Sequence, residues 1–98
     1  MIKVLLERRV RRKNLPKLME YLKDIRSAAL RQPGYVTGET LVRGDDPVDV
    51  LVIGTWISEE HWKAWSTSQE RIELEDMICS LLEEDVKVSV YKIPSEEE

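Results

Sequence analysis

The single imidazole of this sequence, His61, stands in the run Glu59-Glu60-His61-Trp62-Lys63-Ala64-Trp65, which also holds two of the three tryptophans. His61 and Trp65 are four residues apart and share one face of any helix formed there, with Trp62 three before Trp65. Indoles stack on planar molecules, and an imidazole changes charge near neutrality. The patch can therefore wall an aromatic cavity in which His61 moves a proton or binds a phenolic oxygen. In the competing reading the tryptophans anchor the helix to a sheet and His61 points into water.

Three further side chains suit such a cavity. Tyr35, beside Gly34, lines its mouth or merely packs at the start of a strand. Arg71 stabilises an anionic oxygen or enolate, or forms a surface ion pair with Glu70 and Glu73. Glu7 acts as a base if it faces the cavity, and otherwise neutralises the arginines around it. Cys79, with no cation in the adjacent residues, reads as an inert, partly buried thiol. One cysteine and one histidine exclude a disulfide framework and a structural zinc. No Gly-x-Gly-x-x-Gly fingerprint is present, so neither a cofactor nor a metal is expected.

These residues must be held by one small domain. The chain has 98 residues, a net charge of −4, 35% charged and 42% hydrophobic residues, and a mean hydropathy of −0.38. It is too apolar for disorder, and its apolar runs are far shorter than a membrane span of about 18 residues. Ile2–Leu6 is too short for a secretory apolar region, so a cytoplasmic protein is expected, with a domain over 1–94 and an acidic tail over 95–98. Charge is divided, +7 over residues 1–43 and −11 over 44–98. The basic run Arg8-Arg9-Val10-Arg11-Arg12-Lys13 raises nucleic acid as a partner. An acidic protein repels phosphate backbones, so the run is instead expected to pair with the acidic half or with a second subunit.

The elements follow from periodicity. Ile2, Val4, Leu6 and Val10 share one alternate of a first strand. Leu15, Leu18, Leu22, Ile25 and Ala29 mark a helix with Asn14 as cap, Pro16 in its first turn and Pro33-Gly34 as its stop. Tyr35–Arg43 and Val48–Ile57 read as a hairpin turned at Gly44-Asp45-Asp46-Pro47. Ser58 caps a short helix over Glu59–Trp65, and Thr67-x-x-Glu70 offers a capping box for another carrying Ile72, Leu74, Met77, Ile78, Leu81 and Leu82. Val86, Val88 and Val90 mark a last strand. The order β-α-β-β-α-β predicts an α+β, ferredoxin-like fold: an antiparallel four-stranded sheet with helices on one face. Val50 to Ile53 is apolar on both alternates, so the open face is expected to meet a second copy, giving a homodimer through the sheet faces.

Gln32-Pro33-Gly34-Tyr35, Gly54-Thr55-Trp56-Ile57-Ser58 and the helix Glu59–Trp65 with Ser66 to Glu70 behind it resemble the antibiotic biosynthesis monooxygenase domain family. The likeness runs from about Ile2 to Ile93. It implies a dimeric α+β barrel with a ligand cavity between each sheet and its helices. It also implies activities that include cofactor-independent oxygenation of polyketide aromatics, quinol oxidation and haem degradation. Trp65 matches a position where relatives carry a functional tryptophan, and His61 stands where the cofactor-free oxygenases have asparagine. Haem-degrading relatives have an asparagine late in strand one and an iron-ligating histidine after the tryptophan. Here those regions offer Glu7 and Glu75, and Gln69–Leu82 has no histidine, so haem is not expected. The reading is a cofactor-independent monooxygenase acting on a small aromatic or quinol-type substrate, with His61 and Trp65 as catalytic candidates. Trp62, Tyr35, Glu7 and Arg71 are the substrate-binding candidates. The alternatives are a non-catalytic binding or sensing module of the same fold, or an interaction protein using the dimer surface. Neither nucleic acid nor membrane is an expected partner.

Overall fold

The computed structural model describes residues 1–96. Strand β1 (Ile2–Arg9) leads through a 3-10 turn at Arg12–Asn14 into helix α1 (Leu15–Leu30), followed by β2 (Tyr35–Arg43) and β3 (Asp46–Trp56). Helices α2 (Glu59–Ser66) and α3 (Gln69–Cys79) and strand β4 (Lys87–Lys92) complete the chain before a 3-10 turn at Pro94–Glu96. The strands form one sheet in the order β2-β3-β1-β4, every neighbour antiparallel. This is the ferredoxin-like architecture anticipated above.

Alternation along β1 places Ile2, Val4, Leu6 and Arg8 on the face that the helices cover. Residues Leu18, Leu22, Ala28 and Ala29 of α1 are buried beneath it. The apolar interior falls into two clusters. One gathers Ile2, Val4, Ala28, Ala29 and all three tryptophans. The other gathers Val10, Leu18, Leu22, Val48, Val50, Ile78 and Leu82, and Ile25 packs against both.

Several local expectations need correction. Strand β3 starts at Asp46 and ends at Trp56, two residues before and one before the expected limits. Asn14 precedes α1 without a side-chain cap, because its amide donates to the Leu81 carbonyl at 3.3 Å. The cap of α3 is Ser68, whose Oγ accepts from the Arg71 backbone N–H, so Thr67 is one residue too early. Thr67 Oγ1 donates instead to the Lys63 carbonyl and closes α2. Ile72, Met77, Val88 and Val90 are exposed, as is Cys79, which is not the partly buried thiol expected. The acidic tail is in part a 3-10 turn, and residues 97 and 98 lie outside the described residues. Of the basic run, Arg9 pairs with Asp49 at 2.6 Å and with Asp46 and Glu83 at 3.2 Å. That is the pairing with the acidic half that charge division suggested. Among the described residues no helix is long and apolar enough to cross a membrane.

The turn from α1 to β2 depends on Gly34, whose φ of +85° lies in the left-handed region. A Cβ there would also run into the ring of His61. Gly34→Ala should therefore lower Tm by at least about 4 °C, since a left-handed residue with a Cβ costs about 1–2 kcal/mol before any displacement of the ring. A thermal melt that coincides with the wild type would contradict this account of the turn.

Candidate active site

A bulge opens the site. Tyr35 pairs with Trp56 and Thr37 with Thr55, leaving Val36 as an extra residue in β2. The bulge puts the Tyr35 ring on the helix side of the sheet, edge-on to Trp56 at 5.2 Å between centroids. Next along that face Gly38 pairs with Gly54. A Cβ on Gly38 would collide with the Tyr35 hydroxyl, and one on Gly54 would lie 3.4 Å from Trp56 Nε1. Two facing glycines thus leave the sheet without side chains at the point where the rings lie.

Over this floor is a cavity of about 60 Å³. Trp56, Trp62 and Trp65 line its apolar end, and all three are buried. Trp56 and Trp62 meet edge to face at 5.9 Å. The other end is polar. Arg8, only 3% exposed, reaches from β1 to an ion pair with Glu75 of α3. Arg71, one turn before Glu75, is 3.6 Å from the same carboxylate, with side-chain exposures of 12% for Arg71 and 15% for Glu75. The Arg71 guanidinium also lies over the Trp62 ring, 5.0 Å from its centroid. Burial holds the Arg71 pKa below the ordinary guanidinium value; Glu75 opposes this and Arg8 adds to it. The group remains a cation, as guanidinium does in proteins.

The sequence candidates separate cleanly in space. Trp62, Trp65, Tyr35 and Arg71 line the cavity together. Arg71 is not the exposed surface residue of its alternative reading. Glu7 is a correction: it lies on the opposite alternate of β1, 52% exposed, and pairs with Lys87 at 3.9 Å. His61 is another. It does not line the cavity; its Nδ1 lies 2.6 Å from Ser58 Oγ, while its ring rests on Gly34. Ser58 starts α2 and accepts from the His61 backbone N–H, so imidazole and cap hold one another at the helix start. Among the described residues no group of three or more His, Cys, Asp or Glu could hold a metal ion.

Arg8, Glu75 and Trp56 went unread as site residues. Arg8 was legible as the one charge on the apolar alternate Ile2-Val4-Leu6-Val10, and Glu75 as the carboxylate four residues after Arg71.

The sequence pattern of the antibiotic biosynthesis monooxygenase family matches residues 1–73. The chain belongs to that family. No curated protein matches it in sequence. Among solved structures, a conserved protein from Methanosarcina mazei superposes with a TM-score of 0.87 at 15% identity, over 93% of this chain and 90% of its own. An antibiotic biosynthesis monooxygenase assignment from Nitrosomonas europaea gives 0.86 at 16% identity, over 95% and 98%. SnoaB, a cofactor-independent oxygenase from Streptomyces nogalater, gives 0.86 at 12% identity, over 94% and 91%. At these identities the structures share the fold of this family member, and its site must be argued from its own residues.

Tyr35 gives that site a pH signature. Burial raises the pKa of its phenol above the ordinary tyrosine value, and Arg26 opposes the shift through charge and a hydrogen bond. A folded-state pKa above the unfolded one contributes stability that is present below the ordinary range near 10 and lost as pH rises through the folded value. Between pH of about 9 and 11 the fall in Tm should be shallower in Tyr35→Phe than in the wild type. Parallel curves would contradict the burial of this hydroxyl.

Proposed function

We propose that the chain is a cofactor-independent monooxygenase whose substrate is a small, electron-rich aromatic of the hydroquinone type. The observation that carries the reading is the slot walled by three buried tryptophans, with the Arg71 cation held over one of them. Flat indole faces orient a planar ring and exclude water from it. A guanidinium in a dry cavity lowers the cost of ionising a phenol beside it, and the phenolate is the form that gives electrons to dioxygen readily. For a hydroquinone the balance is one substrate and one dioxygen giving one hydroxyquinone and one water. The substrate supplies all four electrons; one oxygen atom enters the ring and the other leaves as water.

In this reading Trp62 and Trp65 bind the ring, Arg71 meets the developing oxyanion, and the Tyr35 hydroxyl, beside Arg26, donates at the other end. The orientation of His61 toward Ser58 favours a second reading, a binding or sensing module. It leaves the aromatic end without an imidazole to act as base. SnoaB and the family name favour catalysis. The two readings part on turnover. Oxygen uptake with substituted hydroquinones should exceed the protein-free rate and fall about 100-fold in Arg71→Gln, as for loss of one oxyanion donor. It should change by less than about twofold in His61→Ala, a residue outside the cavity lining. No uptake, with tryptophan quenching retained, would overturn the enzyme in favour of the binding module. Uptake lost in His61→Ala would return that residue to the chemistry.

The open face of the sheet suits a second copy. By the strand register Leu5 and Ile53 sit side by side there, as do Leu41 and Leu51, and Leu41 and Tyr91 are exposed. Sedimentation should give twice the 11.5 kDa chain mass, and Leu51→Lys should return the monomer. A wild-type monomer at micromolar concentration would contradict this.

A further inference from the structure

Arg71 has a part in the proposed oxygenation, and Arg8 beside it has none. Its side chain is 1% exposed, and Glu75 takes a bond from Nη2 alone. Nε and Nη1 are buried and have no hydrogen-bond partner among the described residues. A guanidinium carries five N–H donors, three of them on these two nitrogens. A buried donor left unmade is costly, and a charged one more so. Arg8 is also among the residues that line the cavity, with Arg71 and Glu75. Three cations, Arg8, Arg26 and Arg71, and two carboxylates, Glu39 and Glu75, line the cavity and leave a single positive charge in excess.

We propose that Arg8 is a specificity-determining residue that receives the carboxylate of the ligand, so that the cavity selects aromatic acids over their uncharged counterparts. Three properties of the site match that group. The excess charge is one, the charge of a carboxylate. The unmade bonds are donors only, and an ionised carboxylate is an acceptor only, with room for several donors. The tryptophans line the same cavity, and Trp62 lies under the Arg71 that shares Glu75 with Arg8, so a planar molecule with its acid on Arg8 lays its ring on them. Glu75 sets the strength of the site: it anchors Arg8 through Nη2 and offsets part of the positive charge. The inference deepens the substrate class of the proposed oxygenase. It rests on the shared cavity and holds for a binding module as well.

The test compares 2,5-dihydroxybenzoate with 2,5-dihydroxybenzamide, matched in ring and shape and differing in charge at neutral pH. Affinities are read by quenching of tryptophan fluorescence. The wild type should bind the acid about tenfold more tightly than the amide, the worth of one charge-assisted hydrogen bond. Arg8→Met, with its fold checked by circular dichroism, should abolish the difference, so that acid and amide bind within about twofold of each other. Glu75→Gln keeps the shape of the site and removes the opposing charge, so it should widen the difference; this arm does not depend on the Arg8 variant folding. Equal binding of acid and amide by the wild type would overturn the inference, as would a preference that survives in Arg8→Met or one unchanged in Glu75→Gln. Binding of neither compound would overturn it too.

Oxygen uptake separates this inference from the reading beneath it. Selective binding of the acid without uptake keeps the anion site and removes the enzyme. Uptake with uncharged hydroquinone, together with equal binding of acid and amide, keeps the enzyme and removes the anion site.

Discussion

The arrangement of this molecule turns on one buried charge. Arg8 sits on the covered face of β1, between Leu6 and Val10, where every other member of the alternate is apolar. A guanidinium taken out of water costs several kcal/mol unless it is paired, and the partner is Glu75, on α3. The pair ties the centre of the sheet to a helix that buries only Ile78 among its own residues. Leu74 packs on one apolar cluster and Ile78 belongs to the other, with Glu75 between them in sequence. The interior is accordingly two cores joined through Ile25, and the cavity occupies the region where Arg8 interrupts them.

The rest of the site can be derived from that interruption. Large rings on one side need space, and the Gly38–Gly54 pair provides it by leaving the sheet bare. The bulge at Val36 turns Tyr35 toward the same space. Arg71 follows from helical geometry, since a residue four before Glu75 faces the same way. It gains a second support from the face of Trp62. Aromatic walls and a cationic end are thereby fixed by strands and two helices rather than by loops, which favours precise placement of a ligand.

Much of this was legible in the sequence and some was not, for physical reasons. The helical spacing of Leu18, Leu22 and Ala29 is unambiguous because α1 must bury one continuous stripe. Tyr35–Arg43 was legible from its β-branched content and the glycine before it. The capping of α3 slipped by one residue because Thr67, Ser68 and the preceding Ser66 are all competent caps, and only the path of the chain selects Ser68. His61 could not be placed because a helix of eight residues can turn either face to a sheet. What decides it is local: a hydroxyl three residues earlier, at Ser58, captures the imidazole. Arg8 is hard to single out because a charged residue next to Arg9 and three before Arg11 reads as one of a basic run. Its strand alternate set it apart from them, and periodicity was the stronger signal.

Membership of the antibiotic biosynthesis monooxygenase family supplies the fold and a class of chemistry, and the polar end of the cavity supplies what is particular to this chain. The most direct measurement is a crystal structure of the protein soaked with 2,5-dihydroxybenzoate. The account predicts the ring against Trp62 and Trp65 and a carboxylate oxygen within hydrogen-bond distance of Arg8 Nε or Nη1. A ligand seated elsewhere, with ordered water on both nitrogens of Arg8, would contradict it.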